Sequence, residues 1–182
     1  EGCRGGARRQ GVRGGRGGVG GNEAVLIALE QALAESGDPA AALERAVGLL
    51  HRSRGYFWVG IYARQGEEMV RQAFRGPVPP CLGFRLGQGN VGTTGQTGRT
   101  KIIPDVRQDP IYQMCFEETR SEVVVPVRLG SQMVGVIDVE SDRLDAFPPG
   151  EAALLEAVAA RLAPAVGKVA GPVPARPGRR EP

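Results

Sequence analysis

From Asn22 the apolar residues Val25, Leu26, Leu29 and Leu33 recur at spacings of three and four, the period that gathers side chains on one face of a helix. Asn22 is the predicted N-cap, because its side-chain oxygen can accept from the first free amides, and Gly37 ends the element. Asp38 predicts a second cap, with Pro39 at the first helical position, and this helix carries Leu43, Val47 and Leu50 on one face. The period then changes. Tyr56–Tyr62 (YFWVGIY) is a continuous aromatic and β-branched run, which predicts a strand buried on both faces. A polar turn (RQGEE) leads into a return strand from Met69 to Phe74. The next stretch, RGPVPPCLGFRL, has three prolines that constrain the loop around Cys81 ahead of a short strand. Glycine-rich GQGNVGTTGQTGRT predicts a brief helix over Val91–Thr97 and a short strand over Thr100–Ile103. A turn-rich connection, PDVRQDPIY, ends near Cys115. Strands over Ser121–Arg128 and Gln132–Glu140 follow, joined through LGS, and Pro149–Val166 closes the pattern as an amphipathic helix with Leu154, Leu155, Val158, Leu162 and Val166.

Helix, helix, two strands, a loop-rich middle, two strands and a helix is an antiparallel α+β order. It predicts a central antiparallel sheet with the N- and C-terminal helices on one face and a loop-rich pocket on the other. Covering both faces explains why the strands read as apolar runs rather than as alternating ones.

Composition sharpens the boundaries. The chain has 182 residues, enough for one domain with a real core. Its aromatic content is only 5%, so aliphatic residues and glycine must fill that core. The formal charge of +3 divides into +4 over residues 1–21, +3 over residues 168–182 and −4 over residues 22–167. The expectation is therefore a disordered Gly/Arg-rich tail (1–21), a folded, mildly acidic domain (22–167) and a disordered Pro/Arg-rich tail (168–182). The first tail lacks the interleaved aromatics that stack on bases, which argues against nucleic acid as a partner. No window approaches eighteen continuous apolar residues, and no apolar run follows the basic N-terminus. The cytoplasm is the expected compartment. Three cysteines (Cys3, Cys81, Cys115) without a CxxC make no secreted disulfide framework. With His51 as the only histidine, no zinc site of usual spacing can be assembled. His51 falls at a predicted helix C-terminus, where a surface role explains it.

The candidate chemistry lies on the last two strands and the loops before them. Gly87-Gln88-Gly89-Asn90-Val91-Gly92 matches G-x-G-x-x-G, but the βαβ context of a dinucleotide fold is missing. Asp138 and Glu140 are two apart on a strand and share a face, with Val134 and Val136 expected on the same face. They either line a pocket or sit at a wet strand end. Glu122 begins the adjacent strand, and pairing through LGS would bring all three acids together, so that like charge and burial hold a proton on one of them. Cys81 and Cys115 each read, alone, more readily as a buried hydrophobe or an idle thiol than as a reactive one, but both lie on loops flanking the same expected pocket, which favours exchange chemistry without showing that they meet.

At these residues the chain resembles a known family. Phe57-Trp58-Val59-Gly60-Ile61-Tyr62, Arg75-Gly76-Pro77, Cys81, the Leu86-Gly87-Gln88-Gly89 turn, Cys115, Ser121-Glu122-Val123-Val124-Val125-Pro126 and Gly135-Val136-Ile137-Asp138-Val139-Glu140 are similar to a GAF domain over about Asn22–Val166. Within that superfamily they most resemble the free methionine-(R)-sulfoxide reductases. The resemblance implies a GAF-like fold and reduction of free methionine-(R)-sulfoxide by a cysteine sulfenic acid and disulfide route. Cys115 then stands for the catalytic thiol and Cys81 for the resolving one. Glu122, Asp138 and Glu140 hold the substrate and its sulfoxide oxygen, and Trp58 and Tyr62 line the substrate pocket. No metal or organic cofactor is implied, and the implied reductant is a thioredoxin-like dithiol. Two positions depart from the pattern: Val91 stands where a third cysteine is usual, and Glu140 where aspartate is usual, a methylene longer and able to crowd the pocket.

The alternative is a GAF domain that binds a small ligand in sensing or signalling without turnover. A cyclic-nucleotide version lacks its Asn-Lys-Phe…Asp-Glu set, a bilin version lacks a histidine after Cys115, and neither tail is long enough for an output domain. A third possibility is a dimerising module that pairs through its terminal helices.

Overall fold

A computed structural model of the chain describes residues 19–171. Cys3 and most of the expected tails (1–18 of 1–21 and 172–182 of 168–182) lie outside the described residues, while one helix begins at Val19 and another ends at Val169 within the remainder. The elements are α1 (Val19–Ala34), α2 (Pro39–Arg54), β1 (Trp58–Gln65), β2 (Glu68–Arg75), β3 (Gly83–Arg85), α3 (Gly89–Thr97), β4 (Lys101–Ile103), a 3-10 turn (Val106–Gln108), β5 (Ser121–Leu129), β6 (Gln132–Ser141) and α4 (Pro149–Val169). The strands form one six-stranded sheet in the order β3-β2-β1-β6-β5-β4, antiparallel at every pairing. The predicted α+β arrangement is the observed one.

One face of the sheet packs on α2 and α4, and α1 lies across those two helices. Val59 and Ile61 of β1, Val123, Val125 and Val127 of β5, and Ile137 and Val139 of β6 meet Leu29, Leu43, Val47, Leu50, Leu155, Val158, Leu162 and Val166 from the helices. These are the residues whose 3–4 spacing defined the helices, so periodicity and burial agree. Buried beside this core, Glu151 at the start of α4 accepts from Arg54 at the end of α2 and from the Tyr56 hydroxyl. That polar contact locks the two helices to the entry of β1.

The other face is covered by α3 and the long loops, and its apolar cluster comprises Trp58, Tyr62, Met69, Phe84, Val91, Phe116, Val124, Met133 and Val136. Two sheet-covering layers explain the unbroken burial of Trp58 through Ala63. The β5–β6 hairpin turns at Gly130, whose φ of 61° is comfortable for glycine and strained for other residues.

Several details differ from the sequence reading. Asn22 is not a cap: α1 runs back to Val19, and the Asn22 Oδ1 is buried without a hydrogen bond. The glycines of that first turn cost about 1 kcal/mol each relative to alanine, and burial of Val25 and Leu29 in the helix core, where α1 lies against α2 and α4, outweighs the local preference. Helix α4 continues three residues past Val166 because β1 receives its end. The Gln65 side chain donates to the Val169 carbonyl at 2.7 Å and the Gly171 amide to the Arg64 carbonyl at 2.8 Å. Val134 is on the helix face, not beside Asp138. The pairing of β5 with β6 shifts between Val127 and Arg128, and a residue inserted in one strand reverses the in–out phase beyond it. Among the described residues no helix is long and apolar enough to cross a membrane.

Candidate active site

Alternation along β1, β5 and β6 sends one set of residues to the helix core and the other to the loop side. Cross-strand register then fixes which loop-side residues are neighbours. Trp58 pairs with Glu140 and Glu140 with Glu122, while Gly60 pairs with Asp138 and Asp138 with Val124. The three acids therefore form one patch in the centre of the sheet, and Trp58 and Tyr62 stand beside it on β1. Glu122, Asp138 and Glu140 are 4%, 3% and 4% exposed, which decides between the open readings: they sit under the loops, not at a wet strand end.

Trp58 lies back along its own strand. A Cβ on Gly60 would meet the Trp58 Cη2 atom at 2.1 Å, so only glycine lets the indole occupy that place. Phe116 and Phe74 pack against the indole with ring centroids at 5.9 and 6.3 Å. Because Phe116 follows Cys115 directly, this contact also anchors the Cys115 loop on the loop side of the sheet. The Cys81 loop is held separately: the Arg71 guanidinium donates to the Cys81 carbonyl at 2.8 Å and sits 4.6 Å over the Phe74 ring.

The two loops bring the half-buried Cys81 and Cys115 together in a disulfide, with Cα atoms 5.9 Å apart. Val91, on α3, is 2% exposed and packs in the same apolar cluster as Cys115, Phe84 and Phe116. Where the resemblance would put a third thiol, the pocket has an aliphatic wall.

Each acid has its own surroundings. Asn90 Nδ2 donates to Glu122 Oε2 at 2.6 Å, and Lys101 Nζ donates to Asn90 Oδ1. Thr119 Oγ1 donates to Glu140 Oε2, which draws the longer glutamate towards the β5 entry and relieves the crowding expected of its extra methylene. Asp138 Oδ1 and Trp58 Nε1 are buried with no hydrogen-bond partner, the condition a polar ligand would relieve. Burial pushes the Glu122 carboxyl up to about 7, against the opposing pull of Asn90 and Lys101. Burial and then the charge of Glu122 push Glu140 up to about 8. Asp138 is held well above the usual carboxylate range by burial and by both neighbouring charges. The three titrate as a group, and near neutrality the group retains protons. Tyr62 is held as the neutral phenol by burial and the charge of Asp138.

The arrangement offers a disulfide-bonded cysteine pair, a cluster of protonated acids and an aromatic wall. Asn90, Lys101, Thr119, Phe84 and Phe116 were not singled out for this site from the sequence. Asn90 was legible only as a letter inside a glycine motif, and Lys101 and Thr119 have no motif.

The GAF domain family pattern matches residues 38–166. GAF domain-containing protein A of Dictyostelium discoideum is 35% identical over 126 residues, spanning 69% of this chain and 79% of that protein. The free methionine-R-sulfoxide reductase of Saccharomyces cerevisiae is 34% identical over 106 residues, 56% of this chain and 58% of that protein. Among solved structures, the free methionine-R-sulfoxide reductase of Neisseria meningitidis in complex with its substrate superposes with a TM-score of 0.76 at 30% identity, covering 81% of this chain and 90% of that one.

Proposed function

The chain belongs to the GAF domain family, and from that premise we propose that it reduces free methionine-(R)-sulfoxide to methionine through Cys115 and Cys81. The carrying observation is the position of the Cys81–Cys115 pair on the loops over three buried, protonatable carboxyls. Sulfoxide reduction needs a nucleophile for the sulfur and a proton for the departing oxygen, within one dry site. The names of the yeast and Neisseria relatives support the same substrate.

In this reading the S-methyl group of the substrate rests against Trp58 and Tyr62, and its ammonium and sulfoxide oxygen face Glu122, Asp138 and Glu140. The Cys115 thiolate attacks the sulfoxide sulfur while a carboxylic acid of the cluster protonates the oxygen. Oxygen passes to Cys115 as a sulfenic acid, and methionine leaves with its sulfur reduced by two electrons. The Cys81 thiol then displaces the sulfenic hydroxyl, forming the Cys81–Cys115 disulfide and releasing water. An external dithiol of the thioredoxin type restores both thiols by exchange and is itself oxidised to a disulfide.

The test is NADPH consumption with thioredoxin, thioredoxin reductase and free methionine-(R)-sulfoxide. Wild type should turn over and Cys115→Ser should not. Cys81→Ser should accumulate a Cys115 sulfenic acid that a dimedone probe traps. Equal turnover by wild type and Cys115→Ser removes the mechanism, and no turnover by wild type favours ligand sensing instead.

A further inference from the structure

Glu122 is tied to a cation through an intermediary whose direction is chemically fixed. Lys101 on β4 donates to Asn90 Oδ1, Asn90 Nδ2 donates to Glu122 Oε2 at 2.6 Å, and Lys101 Nζ also lies 3.7 Å from Asp109 Oδ2. An ammonium has donors only. The carbonyl end of Asn90 must therefore face Lys101, which leaves its NH2 end for Glu122 and removes the usual ambiguity between amide oxygen and nitrogen. Asn90 is 3% exposed and sits in the first turn of α3, so it has no room to serve another partner. With Oε2 engaged as the acceptor from Asn90, a proton on Glu122 is carried by Oε1, the oxygen Asn90 leaves free.

We infer that Lys101 and Asn90 form a positioning pair that keeps the Glu122 proton on Oε1 and lowers the cost of releasing it. Lys101 reaches the acid only through the amide of Asn90, with Asp109 as its other partner. Its use in catalysis rests on the reductase reading, but its effect on Glu122 does not. The groups facing Glu122 are Lys101 from β4, Asp138 and Glu140 from β6, Asp109 beyond the 3-10 turn, Tyr62 from β1, and Tyr112. Lys101 is the only cation among them. Its loss leaves Asp109 and the other two acids unopposed, so the Glu122 anion becomes harder to form.

The experiment is a carbon-detected NMR titration of glutamate carboxyls in the full chain, with Glu122 assigned through Glu122→Gln. A methionine at position 101 (Lys101→Met) should raise the Glu122 midpoint by about one pH unit, the scale of a screened charge acting across a buried amide. Lys101→Arg should return it to within about a quarter of a unit of wild type, since the charge is retained. In an Asn90→Leu background, the Lys101→Met shift should fall to less than about half its original size, because coupled groups are not additive. An unmoved or lowered midpoint in Lys101→Met, or a shift of full size without Asn90, overturns the inference. The pH profile of kcat/KM separates the two readings. If the midpoint moves as expected but the wild type turns over no sulfoxide, the pair stands and the reductase reading falls.

Discussion

Reduction of the Cys81–Cys115 disulfide should lower the stability of the domain by about 4 kcal/mol. The two cysteines are 34 residues apart in sequence. Closing a loop of that length removes about 12–13 cal/mol/K of entropy from the unfolded chain, or close to 4 kcal/mol at 25 °C. On the folded side much of the geometry is held without the bond. Arg71 ties the Cys81 carbonyl to β2, and Phe116 packs on Trp58 beside Cys115. The change therefore falls mainly on the unfolded chain, where the loop-entropy figure applies. For a domain of roughly 150 residues, each kcal/mol moves Tm by about 2–4 °C, so reduction should lower it by about 8–15 °C. The measurement is thermal unfolding by far-UV circular dichroism with and without a phosphine reductant, in a Cys3→Ser background so that no other thiol pairs. Cys81→Ser and Cys115→Ser should melt near the reduced parent and ignore the reductant. A parent whose Tm moves by less than about 2 °C on reduction would show that the loop is already restrained in the unfolded chain, and the reasoning fails.

Three further outcomes follow from named contacts. Glu122 and Glu140 are raised to about 7 and about 8 in the folded protein, whereas the unfolded chain releases these protons near the ordinary glutamate value. Between about pH 4.5 and pH 8 the unfolded state thus binds fewer protons, and stability must fall as pH rises. Urea unfolding across that window should show the decline, with a shallower slope in Glu140→Gln; a rise with pH contradicts the burial argument. Gly60→Ala should cost about 1–3 kcal/mol, because its Cβ would strike the Trp58 indole at 2.1 Å. Trp58 is the only tryptophan, so its emission should shift to the red, and an unchanged spectrum would show that the strand yields instead. Glu151→Ala should cost about 3–5 kcal/mol in chemical unfolding, since it strands the Arg54 guanidinium and the Tyr56 hydroxyl in a buried site. A loss below about 1 kcal/mol would place the pair with solvent-exposed salt bridges.

The helix core was legible because its signal is redundant. Leu43, Val47, Leu50, Leu155, Val158 and Leu162 repeat the same spacing, and one misread residue changes nothing. The face of a strand residue has no such safety margin. Asp138 and Glu140 were placed correctly relative to each other by the period of two, but Val134, only four residues earlier, lies on the opposite face from Asp138 because the β5–β6 register shifts. A bulge has no letter code. The same limit hid Asn90 and Lys101: their contact with Glu122 crosses from α3 and β4 to β5, and only the folded register brings them together. The pairing of Cys81 with Cys115 came from family resemblance and not from spacing, since two loop cysteines 34 residues apart are compatible with meeting or with never meeting.

The two faces of the sheet also separate stability from function. Towards the helices, β1, β5 and β6 present Val59, Ile61, Val123, Val125, Val127, Ile137 and Val139, all fully buried aliphatics. Towards the loops, the same strands present Trp58, Glu122, Asp138 and Glu140, and three buried carboxyls in one patch weaken the fold whenever they ionise. The buried carboxyls Glu122, Asp138 and Glu140 lie together on the loop side, whereas Glu151 on the helix side is matched by Arg54 and Tyr56. Conflicts between burial and residue type are expected at functional or strained sites, which is the ground for the site proposed above. Its position, on the same sheet as an uninterrupted helix-packed core, explains how the conflict is tolerated. The departures at Val91 and Glu140 fit this division. Val91 extends the apolar wall and leaves Cys81 as the sole partner for Cys115 among the described residues, while Thr119 accommodates the longer acid within the same patch.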